Sequence, residues 1–151
     1  MKKITVKLNG ELRSTYVEPT DILLEVLRNK FGIKSPKHGC DRGDCGACAV
    51  LLNGKSVRSC LVLAIEADGQ EITTVEGLSK EGLTKIQTSM IDKNAFQCGF
   101  CAPGAIITST ELLNENPHPT KEEIKEALSG NLCRCTGYQP ILDAVHEASK
   151  E

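Results

Sequence analysis

Eight cysteines in a chain of 151 residues are the feature that most constrains how this sequence can fold. They fall into tight local groups with short gaps, whereas a disulfide framework would spread them along the chain, so the pattern favours metal binding. Two sets of four can be distinguished by their spacing. The N-terminal set is Cys40, Cys45, Cys48 and Cys60, and the C-terminal set is Cys98, Cys101, Cys133 and Cys135.

The N-terminal set begins with the gaps Cys-x4-Cys-x2-Cys, the ligand spacing of plant-type [2Fe-2S] ferredoxins. Such a loop must turn its thiolates to one side while backbone N–H groups approach the inorganic sulfides. Gly39, Gly43 and Gly46 suit that task, because glycine accepts positive φ and has no side chain to obstruct the approach. We predict a cluster on this set with the three glycines against it. Alternatively, the glycines only allow the loop to turn and have no contact with a cluster.

The C-terminal set consists of two closely spaced pairs, Cys98-x2-Cys101 and Cys133-x-Cys135, on loops of a helical region. Four cysteines in two pairs also satisfy tetrahedral zinc, but a plant-type loop in the same chain favours a second iron-sulfur cluster. The Cys-Gly-Phe-Cys segment is also typical of thioredoxin-like redox motifs. That interpretation requires a preceding βαβ strand, which residues 91–94 do not provide. With eight cysteines for eight ligand positions, no histidine is needed as a ligand.

The first half of the sequence predicts strands around one helix. Asn9-Gly10 is a strong hairpin signal between two strands, and a second Asn-Gly turn lies at residues 53–54. Helical spacing of leucines predicts a helix that starts near Asp21 and ends at Gly32. The predicted strands cover residues 4–8, 12–17, 50–52 and 71–75. These elements form a small mixed sheet.

The second half has helical periodicity throughout. Pro103 suits the first turn of a helix, and Thr120-x-x-Glu123 is a capping box that opens another helix, ending near Gly130. The predicted helices include Leu83 to Met90, a segment from Pro103 through Leu113, the capped helix, and a last helix over 140–149. We place a domain boundary near residues 76–80, which gives domains of 1–76 and 77–151.

Charge and hydropathy exclude two classes of partner. The formal net charge is −2 and lysines and arginines are not clustered, so no nucleic-acid surface is predicted. No segment approaches the roughly 20 apolar residues of a membrane span, and no secretory leader is recognisable. We therefore expect a soluble, cytoplasmic protein.

The whole chain resembles the small iron-sulfur subunit of the molybdenum hydroxylases, the family of xanthine dehydrogenase and carbon monoxide dehydrogenase. The short gap from Cys48 to Cys60 separates it from photosynthetic ferredoxins, whose fourth ligand lies much further along. The resemblance implies an α+β protein with a β-grasp [2Fe-2S] ferredoxin-like domain followed by a four-helix [2Fe-2S]-binding domain. The segments that carry it are GCDRGDCGAC at 39–48, Cys60, QCGFCAPG at 97–104 and GNLCRCTGY at 130–138.

The same resemblance implies partners and a direction of electron flow. A large subunit would bind a molybdenum-pterin cofactor and carry the substrate pocket, and a medium subunit would bind FAD, in a dimer of heterotrimers. Electrons would pass from molybdenum to the C-terminal cluster, then to the N-terminal cluster and then to flavin. Gln97 and Cys135 would face the pterin. A polar residue at a helix end is the alternative role of Gln97.

Two rival functions remain at the level of sequence. A freestanding, diffusible ferredoxin would carry the same clusters, but it would present a small charged docking patch. The near-neutral net charge of this chain favours a fixed subunit. A zinc-stabilised interaction module is the second rival. Neither the carboxylates nor the histidines converge into a catalytic pattern, so we expect no substrate-converting site on this chain.

Overall fold

The computed structural model describes residues 1–150 and contains one five-stranded mixed sheet in the order β2-β1-β5-β3-β4. Strands β1 and β5 are parallel, and the other neighbouring pairs are antiparallel. The strands are β1 (Lys2–Leu8), β2 (Glu11–Val17), β3 (Ala49–Leu52), β4 (Lys55–Arg58) and β5 (Glu71–Thr73).

Both Asn-Gly pairs close two-residue hairpins. Asn9 and Gly10 have φ values of 50° and 85°, and Asn53 and Gly54 have 50° and 83°. Two successive residues with positive φ give the turn whose twist matches that of paired strands. The predicted β1-β2 hairpin is confirmed, and the second pair joins β3 to β4, a strand that the sequence analysis did not assign.

The predicted helix of the first half exists, but its second part is a π-helical turn. Helix α1 (Leu23–Glu25) continues as a π turn over Val26–Lys30, in which Phe31 N donates to Val26 O at 3.0 Å. Gly32 follows with φ of 75° and ends the segment as predicted. The buried core between this segment and the sheet is almost wholly aliphatic, since Phe31 is its one aromatic side chain among the described residues.

The predicted strand over 71–75 is two residues too long. Asn9 replaces the next strand contact, because its Oδ1 accepts from Thr74 N at 2.8 Å and its Nδ2 donates to Thr74 Oγ1 at 2.9 Å. The chain turns there into the short helix α2 (Val75–Leu78). Val75 therefore lies in a helix and not in a strand.

Four further helices follow, as the resemblance implied, so the predicted α+β class is confirmed. Thr120 and Glu123 form the predicted capping box at the start of α5, and Pro103 lies in the first turn of α4. Leu83, expected in a helix, is exposed and precedes α3. The helices are α3 (Lys85–Asp92), α4 (Ala102–Glu115), α5 (Lys121–Leu128) and α6 (Gln139–Ala148).

The sheet and the helices have separate hydrophobic cores, which a third, smaller cluster connects. One cluster of buried residues lies between the sheet and α1, and another lies among α3 to α6. Ile107 of α4 packs against Ala49 and Leu51 of β3 and joins the two. The boundary near residues 76–80 stays a prediction. Among the helices of residues 1–150, none is long and apolar enough to cross a bilayer.

Candidate iron-sulfur sites

The N-terminal set is assembled by the loop before β3 and by the turn after β4. Pairing of Ala49 with Arg58 in the β3-β4 hairpin places Cys48 beside Ser59, whose Oγ donates to Cys48 O at 2.6 Å. Cys60 follows in a single 3₁₀ turn, and both it and Cys48 are buried. The hairpin thus fixes one half of the set against the core.

Within this set the thiols lie in two contacting pairs, Cys40 with Cys45 and Cys48 with Cys60. Cys40 Sγ also accepts from the backbone N–H groups of Arg42 and Cys45, each at 3.4 Å. These backbone hydrogen bonds lower the pKa of Cys40 to about 7. Burial, followed by the contact with Cys48, raises the pKa of Cys60 to about 11. The loop therefore favours the thiolate form of Cys40, whereas burial raises the pKa of Cys45.

The C-terminal set brings the loop before α4 against the loop between α5 and α6. Its pairing is crossed, because Cys98 contacts Cys135, with the two Sγ atoms 3.6 Å apart, and Cys101 contacts Cys133. Cys98 and Cys135 are exposed, whereas Cys101 and Cys133 are half-buried. One pair therefore faces outward and the other faces the helices.

Backbone and hydroxyl groups act on these thiols as well. The N–H of Phe100 is the main cause that lowers the pKa of Cys98, and the contact with Cys98 raises the pKa of Cys135. Burial raises the pKa of Cys101 to about 12. At Cys133 burial acts upward, but hydrogen bonds, first that of Thr136 Oγ1 at 3.2 Å, bring its pKa below the usual value.

All eight cysteines are free thiols, and each has another cysteine of its own set in contact. A [2Fe-2S] cluster takes four cysteine ligands, two on each iron. Two contacting pairs with N–H groups directed at sulfur fit that donor set. Within residues 1–150, no three His, Cys, Asp or Glu side chains converge on a single-ion site.

Comparison with known proteins gives the same assignment. Residues 6–79 match the 2Fe-2S iron-sulfur cluster binding domain, and residues 74–146 match the [2Fe-2S] binding domain. The chain is 50% identical to the nicotine 6-hydroxylase small subunit of Paenarthrobacter nicotinovorans, over 97% of this chain and 88% of that one. It is also 50% identical to the nicotinate dehydrogenase small FeS subunit of Eubacterium barkeri, over 98% and 96%.

Among solved structures, quinoline 2-oxidoreductase from Pseudomonas putida 86 superposes with a TM-score of 0.93 at 46% identity, over 99% of this chain and 96% of that chain. This chain belongs to the small iron-sulfur subunits of the molybdenum hydroxylase family. It is the iron-sulfur subunit of an oxidoreductase, and the predicted order of a ferredoxin-like domain and a helical [2Fe-2S] domain is confirmed.

The three glycines of the small subunit's first loop are each confined by a different neighbour. A Cβ on Gly39 would lie 2.6 Å from Cys45 Sγ, and one on Gly43 would lie 2.6 Å from Leu61 Cδ1. A Cβ on Gly46 would lie 2.6 Å from Asn131 Nδ2 and closer still to a backbone oxygen. Contact of these glycines with a cluster stays a prediction. For Gly46 the structure adds a second, steric requirement, because backbone would have to move, whereas the exposed Leu61 side chain could move away from a Cβ on Gly43.

Gln97 lies in the loop between α3 and α4, at the end of neither helix. Its side chain is exposed, and it directly precedes the exposed Cys98. Cys135 is therefore in reach of the same surface, through its contact with Cys98. Gln97 and both cysteines of the outward pair are therefore exposed.

Sequence reasoning missed the junction between the two sites. Leu132 N donates to Cys45 O at 2.9 Å, and Asn131 Nδ2 donates to Gly46 O at 3.4 Å. Arg58 Nη2 donates to Gly130 O at 3.0 Å. Residues 130–132 of the C-terminal loop are thus fastened to the N-terminal loop. The only sequence signal was glycine at positions where backbones approach closely.

Proposed function

We propose that this small subunit holds two [2Fe-2S] clusters and transfers electrons within a molybdenum hydroxylase complex. The observation that supports this most is the set of eight free thiols in four contacting pairs. The clusters would supply one-electron acceptance and release. The proposed ligands are Cys40, Cys45, Cys48 and Cys60 for one cluster and Cys98, Cys101, Cys133 and Cys135 for the other.

The proposed partners are a large subunit with a molybdenum-pterin cofactor and a medium subunit with FAD, assembled as a dimer of heterotrimers. Exposed apolar side chains near the C-terminal cysteines support a fixed partner, because Phe100 and Leu132, which adjoin Cys101 and Cys133 in the sequence, and Tyr138, whose hydroxyl accepts from Cys133 N, are exposed. Gln97 would form a hydrogen bond with the pterin, and Cys135 would ligate the cluster iron while its sulfur also accepts a contact from the pterin. Free thiols in this number fit a cytoplasmic location.

The junction supports electron transfer in series, from the C-terminal set to the N-terminal set and then to flavin. The hydrogen bond from Leu132 N to Cys45 O joins a residue next to Cys133 directly to a ligand of the other set. The electron path between the two sets therefore does not have to pass through either hydrophobic core. The outward pair with Gln97 would then be the entrance, and the N-terminal set the exit.

The substrate of the complex is a property of its large subunit. The two relatives described above are named for different substrates, nicotine and nicotinate, yet each is 50% identical to this chain. A shared subunit with divergent substrate names fits a role in electron transfer and not in substrate choice.

A freestanding ferredoxin is the alternative that uses the same ligands. Diffusible carriers bind through small, wet, charged patches. In this chain the exposed apolar residues Phe100 and Leu132 instead adjoin cysteines of the C-terminal set in the sequence. This favours a permanent interface over a transient one.

Iron and acid-labile sulfide analysis of anaerobically purified protein tests the proposal. We expect about four of each per chain, because each set holds one two-iron cluster. Cys60→Ala and Cys101→Ala should each halve the iron, while His38→Gln, beside the N-terminal set, should retain all of it. Zinc without sulfide would refute the cluster assignment. Turnover of an organic substrate by the isolated chain would refute the subunit role.

A further inference from the structure

Lys37 belongs to the N-terminal loop, but its side chain reaches the C-terminal set. Its backbone N–H donates to Ala47 O at 2.9 Å, which holds the residue beside the N-terminal set. Its Nζ lies 5.7 Å from the centroid of the Phe100 ring, within the range of a cation–π contact. Phe100 lies between Cys98 and Cys101 in the sequence. A cation from one domain is therefore positioned at the site of the other.

The surroundings of this ammonium reduce its screening by water. The Lys37 side chain is half-buried, and burial is the main cause that lowers its pKa, followed by the charge of Arg28. Glu76, Cys101 and Cys98 act in the opposite direction. The carboxylate of Glu76 also accepts hydrogen bonds from the hydroxyl groups of Thr74, at 2.7 Å, and Ser35, at 2.9 Å. The charge of Glu76 is therefore shared with these groups and does not act on Lys37 alone.

We propose that Lys37 sets the reduction potential of the cluster on the C-terminal set from across the domain junction. This inference rests on the proposed function. Reduction adds one electron and one negative charge to a cluster, and a nearby fixed positive charge stabilises the reduced form. Net charge and solvent exposure are known determinants of cluster potentials. Lys37 thereby makes the electron affinity of the C-terminal set depend on the correct docking of the N-terminal loop.

Redox titration of the intact complex with dithionite and mediators, followed by low-temperature EPR, tests the inference. In Lys37→Gln, the reduced-to-oxidised ratio of the C-terminal cluster at its native midpoint should fall about tenfold, a downward shift of about 59 mV for a one-electron couple. The N-terminal cluster should shift less. Lys37→Arg should keep both native potentials, because it retains the charge over the ring.

Lys34→Gln is the matched control for a change in overall charge. Lys34 is exposed, and its Nζ donates to Arg28 O at 2.6 Å. The two EPR signals are assigned by which one is lost in Cys60→Ala and which in Cys101→Ala. The inference is overturned if Lys37→Gln moves the C-terminal potential no further than Lys34→Gln does, or if Lys37→Arg shifts it equally. Iron and sulfide are measured in the same samples, so missing clusters would instead count against the proposed function.

Discussion

Gly46 shows how a single position serves both the fold and the site. Its φ of 76° is in the left-handed region, and a side chain there would strike Asn131 and the backbone of Gly130. Its own carbonyl accepts from Asn131 Nδ2. The residue between two proposed ligands, Cys45 and Cys48, is thus also the point at which the second domain approaches.

Replacing Gly46 by alanine should destabilise the chain and separate the two loops. Gly54→Ala is the matched control, because Gly54 has a similar φ of 83° but no neighbour within 4 Å of an added Cβ. The left-handed conformation costs about 1–2 kcal/mol in each variant. Gly46→Ala should lose clearly more folding stability than Gly54→Ala, because the backbone at Gly130 must also move. Thermal unfolding of the cluster-loaded chain measures both, and equal losses would contradict the junction described here.

At the scale of elements, local chemistry could be predicted and long-range contacts could not. The Asn9-Gly10 turn and the capping box at Thr120 depend on neighbours along the chain, and both are as predicted. The end of β5 depends on Asn9, which is more than sixty residues away in the sequence, and the predicted end was wrong. Cysteine spacing likewise predicted the two sets, but the crossed contact of Cys98 with Cys135 depends on how two loops meet.

Ile107 provides the packing contact between α4 and the sheet, and its truncation should destabilise the fold. It is 1% exposed on α4 and packs against β3. Ile107→Ala should cost about 2–5 kcal/mol, because it leaves a cavity between the sheet and the helices. Ile91 of α3 is 61% exposed, so Ile91→Ala should stay within about 0.5 kcal/mol of the native chain. Urea unfolding followed by circular dichroism provides the comparison, and similar losses in the two variants would refute the role of Ile107.

The whole molecule places two thiol sets at a shared junction, and only the C-terminal set has exposed cysteines. Cys98 and Cys135 are exposed, whereas in the N-terminal set Cys40 and Cys45 are half-buried and Cys48 and Cys60 are buried against Leu24 of α1. The two loops are held together because Leu132 N and Asn131 Nδ2 of one loop donate to Cys45 O and Gly46 O of the other. The sequence predicted both sets but contained no signal for their relative position. The asymmetry is what gives the proposed series a direction.

That direction predicts different defects for the two ligand variants already described. In the anaerobic complex mixed rapidly with its own substrate, Cys60→Ala should leave the C-terminal cluster reducible and slow flavin reduction. Cys101→Ala should slow the reduction of both the N-terminal cluster and flavin. We expect losses of at least about tenfold, because even changes in the outer shell of metal sites cost about 10–100-fold. EPR and flavin absorbance at successive times measure the order.

Both variants must first be shown to assemble with their partners and to retain one cluster, since cluster binding also contributes to folding. Gln97→Ala is a milder test, because it changes the entrance without removing a ligand, and it should slow the first electron transfer while leaving both clusters in place. If Cys101→Ala reduced flavin at the native rate, electrons would bypass the C-terminal set. If Cys60→Ala blocked reduction of the C-terminal cluster while molybdenum was reduced normally, the series would run in the opposite direction, with the N-terminal set as the entrance.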